Sequence, residues 1–110
     1  MTGNYIPISS WAEDDKPREK MLSKGVTALS TNELLAILIR SGSGGESALD
    51  LSRRILTDAS NDLNTLARLS VSDFMNRYKG VGMAKAASII AAMELGRRRA
   101  LSTAREEPAL

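Results

Sequence analysis

Residues 78–90, reading YKGVGMAKAASII, constrain the fold of this chain more than any other stretch. A helical run ends at Tyr78 and Lys79, two glycines follow with one apolar residue between them, and a second helical run opens on small residues and one lysine. Glycine enters the left-handed backbone region without a Cβ penalty, so Gly80 and Gly82 predict a chain reversal within a few residues. Ala84, Ala86 and Ala87 carry no bulk and predict close packing of the two helices. The same turn leaves backbone N–H groups bare at a helix N-terminus, where an anion can approach.

The rest of the chain repeats this helical grammar. Residues 1–14 hold Gly3, Pro7, Ser9 and Ser10 and predict an extended or disordered arm, with Trp11 docking on the body. Asp15 predicts the cap of a short helix, with Pro17 in its first turn and Gly25 just past its end. Ser30-Thr31-Asn32-Glu33 is a capping box ahead of Leu34, Leu35, Leu38 and Ile39 at helical spacing. Gly42 stops that helix. After the glycine-rich stretch that follows, Ala48, Leu51, Ser52 and Ile55 share a stripe of the next helix. Leu63 and Leu66 predict a short packed turn, and Ser70 to Asp73 start the helix that carries Phe74 and Tyr78. The last helix runs from about Met83 to Arg99, with Ala86, Ile89, Ile90 and Met93 inward. Strand signals are absent, so the chain reads as all-α.

Two of these turns resemble one another. Gly42 and Gly44 lie 38 residues before Gly80 and Gly82, with helix-capping signals ahead of both pairs. This spacing predicts tandem helix-hairpin-helix units in a small helical bundle of the SAM-like kind, sharing one core. Coincidence in a glycine-containing helical protein is the competing explanation.

Composition narrows the chemistry. The chain has no cysteine and no histidine, which removes thiolate sites, disulfides and the commonest general base and metal ligand. No metal, cofactor or catalytic residue is expected. Only four aromatics are present, too few for stacking single-stranded bases. No apolar run approaches the roughly 20 residues of a membrane span, and no signal peptide is visible, which predicts a cytoplasmic protein without a membrane partner. Charge is uneven. Residues 1–64 hold seven Lys/Arg against nine Asp/Glu, whereas residues 65–110 hold eight against four. That asymmetry suits a nucleic-acid contact at one end of the molecule.

Several blocks resemble the N-terminal domain of the bacterial RadC family. They are DKPREKML from Asp15, LSTNELLAILIRSG from Leu29, KGVGMAKA from Lys79 and ELGRR from Glu94, in that order and within residues 5–100. The resemblance implies a helical domain of helix-hairpin-helix character over residues 15–100. It also implies that residues 101–110 are a linker toward a C-terminal metalloprotease-like domain of the JAB/MPN type, absent from this chain. The family is linked to DNA repair by name. The resemblance carries no catalytic residue onto this sequence.

The residues themselves support two functions. In the first, a non-enzymatic module holds the DNA backbone without reading sequence, through Gly80, Val81 and Gly82 with charge from Lys85, Lys79 and Arg77. Gly42, Ser43, Gly44 and Arg40 form a weaker second candidate, because Glu46 sits beside them and would repel phosphate. In the second, the domain is a protein-interaction or dimerisation module that positions the C-terminal domain. A glycine turn serving only as a tight helix connection fits the same letters. Arg97-Arg98-Arg99 suit the C-terminal end of a helix without any ligand. Lys85 and Arg99 stand roughly 21 Å apart along the axis, too far to share one phosphate.

Overall fold

Helices form here where a side chain answers bare N–H groups. The computed structural model describes the backbone of residues 5–106 and the side chains of residues 13–105. Ser30 accepts from the Glu33 N–H and the Glu33 carboxylate accepts from the Ser30 N–H, which closes a capping box and starts α2, Thr31–Ile39. Ser47 caps α3, Ala48–Asp58, and Asp62 caps α4, Leu63–Ala67. Ser70 and Asp73 make a second capping box at α5, Val71–Arg77. These helices lie between α1, Tyr5–Lys24, and α6, Met83–Glu106. The described residues are all helical apart from connections and one isolated bridge between Ser43 and Glu46.

Two elements differ from the sequence expectation. α1 begins at Tyr5, where an extended arm to residue 14 was expected, and Pro17 lies inside it rather than in its first turn. Exposed pairs support that helix: Lys16 with Glu13 and Arg18 with Asp15, each one turn apart. A cross-helix pair, Lys20 with Glu33 at 3.0 Å, ties α1 to the start of α2. Residues 1–4 and the Trp11 side chain lie outside what is described. At the other end α6 continues to Glu106, through the expected linker, because residues 100–106 contain no glycine or proline to stop it.

Gly25 closes α1 as expected, with φ +90° and its N–H on the Met21 carbonyl at 2.8 Å. The end of α3 uses Ser60 and Asn61 in the left-handed region, and Asn61 N–H reaches back to the Leu56 carbonyl at 2.7 Å.

The core gathers the inward stripes of every helix from α2 on. Leu35, Ala36 and Ile39 of α2 meet Ala48, Leu51, Ile55 and Leu56 of α3, then Leu66, Phe74, Ala86 and Ile89. Ile90 and Met93 pack against its edge. Each fully buried Ile, Leu or Phe is worth about 1.5–3 kcal/mol, so this cluster dominates stability. α2 packs on α3 and α5 packs on α6, and contact between α2 and α6 joins the two pairs. Each glycine turn therefore links the two helices of one packed pair.

Candidate nucleic-acid interface

The first turn is a closed loop. Arg40 ends α2 with φ +74° and ψ −46°, and Ser41 N–H donates to the Ile39 carbonyl at 2.9 Å, a strained γ-turn. Ser43 and Glu46 then exchange both backbone hydrogen bonds, at 2.9 and 3.1 Å, around Gly44 and Gly45. Both glycines have positive φ, +59° and +83°, as a tight type I′ reversal requires. Gly42 is not in the left-handed region. It is required for space, since a Cβ there would stand 1.6 Å from the Glu46 carbonyl oxygen.

An anion already occupies this loop. Asp14 of α1 accepts from Ala48 N–H at 2.8 Å and from Gly42 N–H at 3.4 Å, so the bare donors at the start of α3 face the protein's own carboxylate. Glu46 is not the free repelling charge that the sequence suggests. Arg54 forks onto it with 3.2 and 3.0 Å hydrogen bonds, which hold the Arg54 guanidinium above its ordinary pKa.

The second turn is built differently. Gly80 and Gly82 do not adopt positive φ, contrary to the expectation from glycine's freedom. Gly80 N–H and Val81 N–H both donate to the Tyr78 carbonyl, at 3.2 and 3.0 Å, so neither is free for a ligand. The Val81 side chain is buried in the core. A Cβ on Gly80 would come 2.5 Å from the Ser43 Cβ, so here glycine permits the two turns to touch. A Cβ on Gly82 would meet nothing within 4 Å. Gly82 precedes α6, and the first helical bond runs from Ala86 N–H to its carbonyl at 3.0 Å. Among the described residues no side chain accepts from the N–H groups of Met83, Ala84 or Lys85.

Lys85 joins the two turns. Its Nζ donates to the Gly80 carbonyl at 3.1 Å and to the Ser41 carbonyl at 2.9 Å. A helical side chain leans toward the N-terminus of its own helix, which carries the ammonium back over the turn. Two of its three donors are thereby used while its charge stays at the end of α6. One shallow depression is lined by Arg40, Ser41, Lys85 and Ser88. A neighbouring one is lined by Ser43, Lys79, Gly80 and Gly82. Arg77 lines neither and sits in the last turn of α5. Arg97 and Arg98 both bond Glu94, whose carboxyl they hold down at about 2, and lie on α6 about 18 Å or more beyond Lys85.

The support behind the turn comes from Tyr78, which the sequence placed only as a residue of the α5 helix. Tyr78 is almost fully buried, and its hydroxyl donates to Asp58 Oδ2 at 2.8 Å. Arg54 lies over its ring, 5.6 Å from the centroid. Burial, then the Asp58 hydrogen bond, push the phenol up to about 12. Glu46, Arg54, Tyr78 and Asp58 thus form a chain from the first turn across α3 to the second. Asp14, 28 residues from Gly42, leaves no local signal of its role. Glu46 and Arg54 are eight apart and fall outside the usual helical pairings.

Comparison with known proteins places this helical domain. The UPF0758 N-terminal family matches residues 8–87. The chain belongs to that family. A UPF0758 protein of Flavobacterium johnsoniae is 58% identical over 98 residues, covering 89% of this chain and 42% of the relative. A UPF0758 protein of Trichlorobacter lovleyi is 46% identical over 93 residues, covering 83% and 40%. One from Moorella thermoacetica is 46% identical over 104 residues, covering 94% and 44%. The chain therefore spans about 40% of the length of the curated relatives it matches. No solved structure gives a significant match. The UPF0758 match covers three of the four blocks that resemble the RadC N-terminal domain, and ELGRR from Glu94 lies beyond its end. Among the described residues no helix is long and apolar enough to cross a membrane.

Proposed function

We propose that this UPF0758 N-terminal domain is a non-enzymatic module that binds the DNA backbone without reading sequence, with α5, the second glycine turn and α6 acting as a helix-hairpin-helix element. The observation that carries the reading is the start of α6. Four helices of the bundle begin on a Ser or Asp that fills their bare donors. α6 begins on Gly82 with no side chain among the described residues on the Met83, Ala84 and Lys85 N–H groups, and with the Lys85 ammonium held on the Gly80 and Ser41 carbonyls of the adjoining turns. A backbone phosphate there meets the helix dipole, free donors and a fixed positive charge together. Lys79 and Arg40 flank the position, each without an ion-pair partner among the described residues, and Arg77 adds longer-range charge. The first turn serves as the structural counterpart, its donors filled by Asp14.

Phosphate contacts position a protein but carry no sequence information, so affinity is set by charge and salt. With about four phosphates neutralised, log K falls against log salt with a slope near −3.6. Fluorescence anisotropy of labelled duplexes across a salt series tests this. The expected result is that slope, equal affinity for unrelated sequences, and at least a severalfold loss for Lys79→Glu, whose side chain makes no contact that the fold depends on. Salt-independent binding, or wild-type affinity in Lys79→Glu, overturns the reading.

A further inference from the structure

α6 is longer than the bundle needs. From Leu95 to Arg105 every residue is exposed, and the helix runs past the core without a partner among the described residues. On the side next to α4 it borders a largely apolar groove lined by Leu63, Ala67, Ile90, Met93 and Ala100, with the Glu94–Arg97 ion pair also on its wall. A second depression continues from Gly96 and Ala100 to Ala104. Ile90, Met93, Arg97, Ala100 and Ala104 recur at alternating spacings of three and four, the period of a helix face that packs on another element. Ala92, Gly96, Ala100 and Ala104 recur every fourth residue and keep that face low enough for close approach. Leu63, on the α4 wall of the groove, is 44% exposed.

The occupant has to be apolar at its centre and acidic at its edge. Glu94 is the only carboxylate between residues 74 and 105, and it is taken by Arg97 and Arg98. Arg99 and Arg105 remain without a carboxylate among the described residues. A second copy in an antiparallel register centred on Arg98 would set Arg97 to Arg99 against the same three arginines, a like-charge contact that disfavours that pairing. The relatives offer another occupant. More than half of their length lies outside the match, and the matched family is an N-terminal one, so that remainder follows α6 in sequence. A segment leaving the end of α6 needs only to fold back to reach the groove.

We infer that the α4–α6 groove is the docking face for the C-terminal remainder of the longer UPF0758 chains, which presents an apolar ridge bordered by carboxylates. This interface is independent of the DNA reading, since it begins more than one helical turn beyond Lys85 along α6. The chain has no cysteine, so single substitutions report on it cleanly. Ala100→Cys sits in the groove, and Ser102→Cys sits on the opposite side of the same helix. Each is placed in the 110-residue chain and in a full-length Flavobacterium johnsoniae relative whose matched stretch is replaced by this chain and whose own cysteines are serine. Maleimide labelling at position 100 is expected to slow about tenfold or more in the full-length chimera, with position 102 unchanged. Equal rates at position 100 in both proteins overturn the inference. So does protection of position 100 that is already present in the 110-residue chain and fades on dilution, because a second copy is then the occupant.

Discussion

Between Arg40 and Ser47 the backbone is closed on itself and on Asp14; between Tyr78 and Met83 it is closed only on the side that faces the core. Both turns show the letters G-x-G, and both join a pair of packed helices. The glycines have different causes. In the first turn Gly44 and Gly45 supply positive φ and Gly42 supplies room against the Glu46 carbonyl. In the second, Gly80 supplies room against Ser43, and Gly82 supplies neither. Three of the turn glycines satisfy a backbone angle or a steric limit inside the first loop, and one in the second permits contact between loops. The remaining one sits at an open helix end. One motif therefore divides into a structural half and a half with unused capacity.

The largest expected effect separates the two turns by sterics. Gly42→Ala drives a methyl into a backbone carbonyl that is locked by the Ser43–Glu46 pair, and no side chain can yield to it. We expect a loss of about 3 kcal/mol or more, or failure to fold at all, measured by urea unfolding. Gly80→Ala meets the Ser43 Cβ at 2.5 Å, which moves only with its own backbone, and should cost less than Gly42→Ala because the overlap is smaller. Equal costs would show that the two turns are equally rigid.

The next effect tests the link between the turns. Tyr78 titrates near 12 in the folded protein against about 10 in the unfolded chain. Folding therefore favours the neutral phenol, and its contribution is fully present below pH 10. It is lost as pH rises from about 10 to 12, where the unfolded chain has ionised and the folded one has not. That window should remove roughly 2–3 kcal/mol, less whatever the other groups contribute. Tyr78→Phe loses the Asp58 hydrogen bond, about 1–2 kcal/mol, at neutral pH and abolishes this alkaline component. Urea midpoints from pH 8 to 11.5 distinguish the two proteins. Parallel curves would remove Tyr78 from the connection.

Much of this was legible in the chain, for definite reasons. Ser30-Glu33 and Ser70-Asp73 act within one turn, so the sequence shows them and the structure keeps them. The stripes Ala48, Leu51, Ser52, Ile55 and Ala86, Ile89 follow from helical period alone, since one side of each helix must leave water. The full reach of α1 was hidden by Gly3, Pro7, Ser9 and Ser10, which read as an extended arm, and by Pro17, which read as the first turn of a helix starting at Asp15 rather than as a residue inside a longer one. Asp14 on Ala48 and Lys85 on Ser41 join residues 34 and 44 positions apart, and no local pattern reports such pairs. The sequence placed the candidate site residues beside the turns, but it carried no sign of their contacts. Val81 turned out to belong to the core, and Lys85 spends two donors on carbonyls.

Lys85 gives the third effect. Lys85→Met keeps the aliphatic stem and removes both charge-assisted bonds, one to each turn. Its partly exposed position limits the cost to about 1 kcal/mol. Thermal melting checks it, and a drop of roughly 3–8 °C is expected for a domain of this size. No change would mean that the ammonium is solvated rather than seated between Ser41 and Gly80.

Gly82 carries the smallest effect on stability and the sharpest contrast with Gly42. It occupies the capping position of α6, yet its φ lies outside the left-handed region and nothing stands within 4 Å of a Cβ built there. Serine should therefore fit, and its hydroxyl should accept from the Lys85 N–H as Ser30, Ser47 and Ser70 do from the third residue of their own helices. A serine cap exceeds a glycine one by only a few tenths of a kcal/mol, so Gly82→Ser should melt about 1–3 °C higher than the wild type. The same hydroxyl occupies the donors assigned here to phosphate, so duplex affinity should fall while stability rises. A lower melting temperature would mean that the turn needs its glycine after all. Unchanged affinity with a higher melting temperature would move the phosphate away from the start of α6, leaving Lys79 and Arg40 to hold it by charge alone.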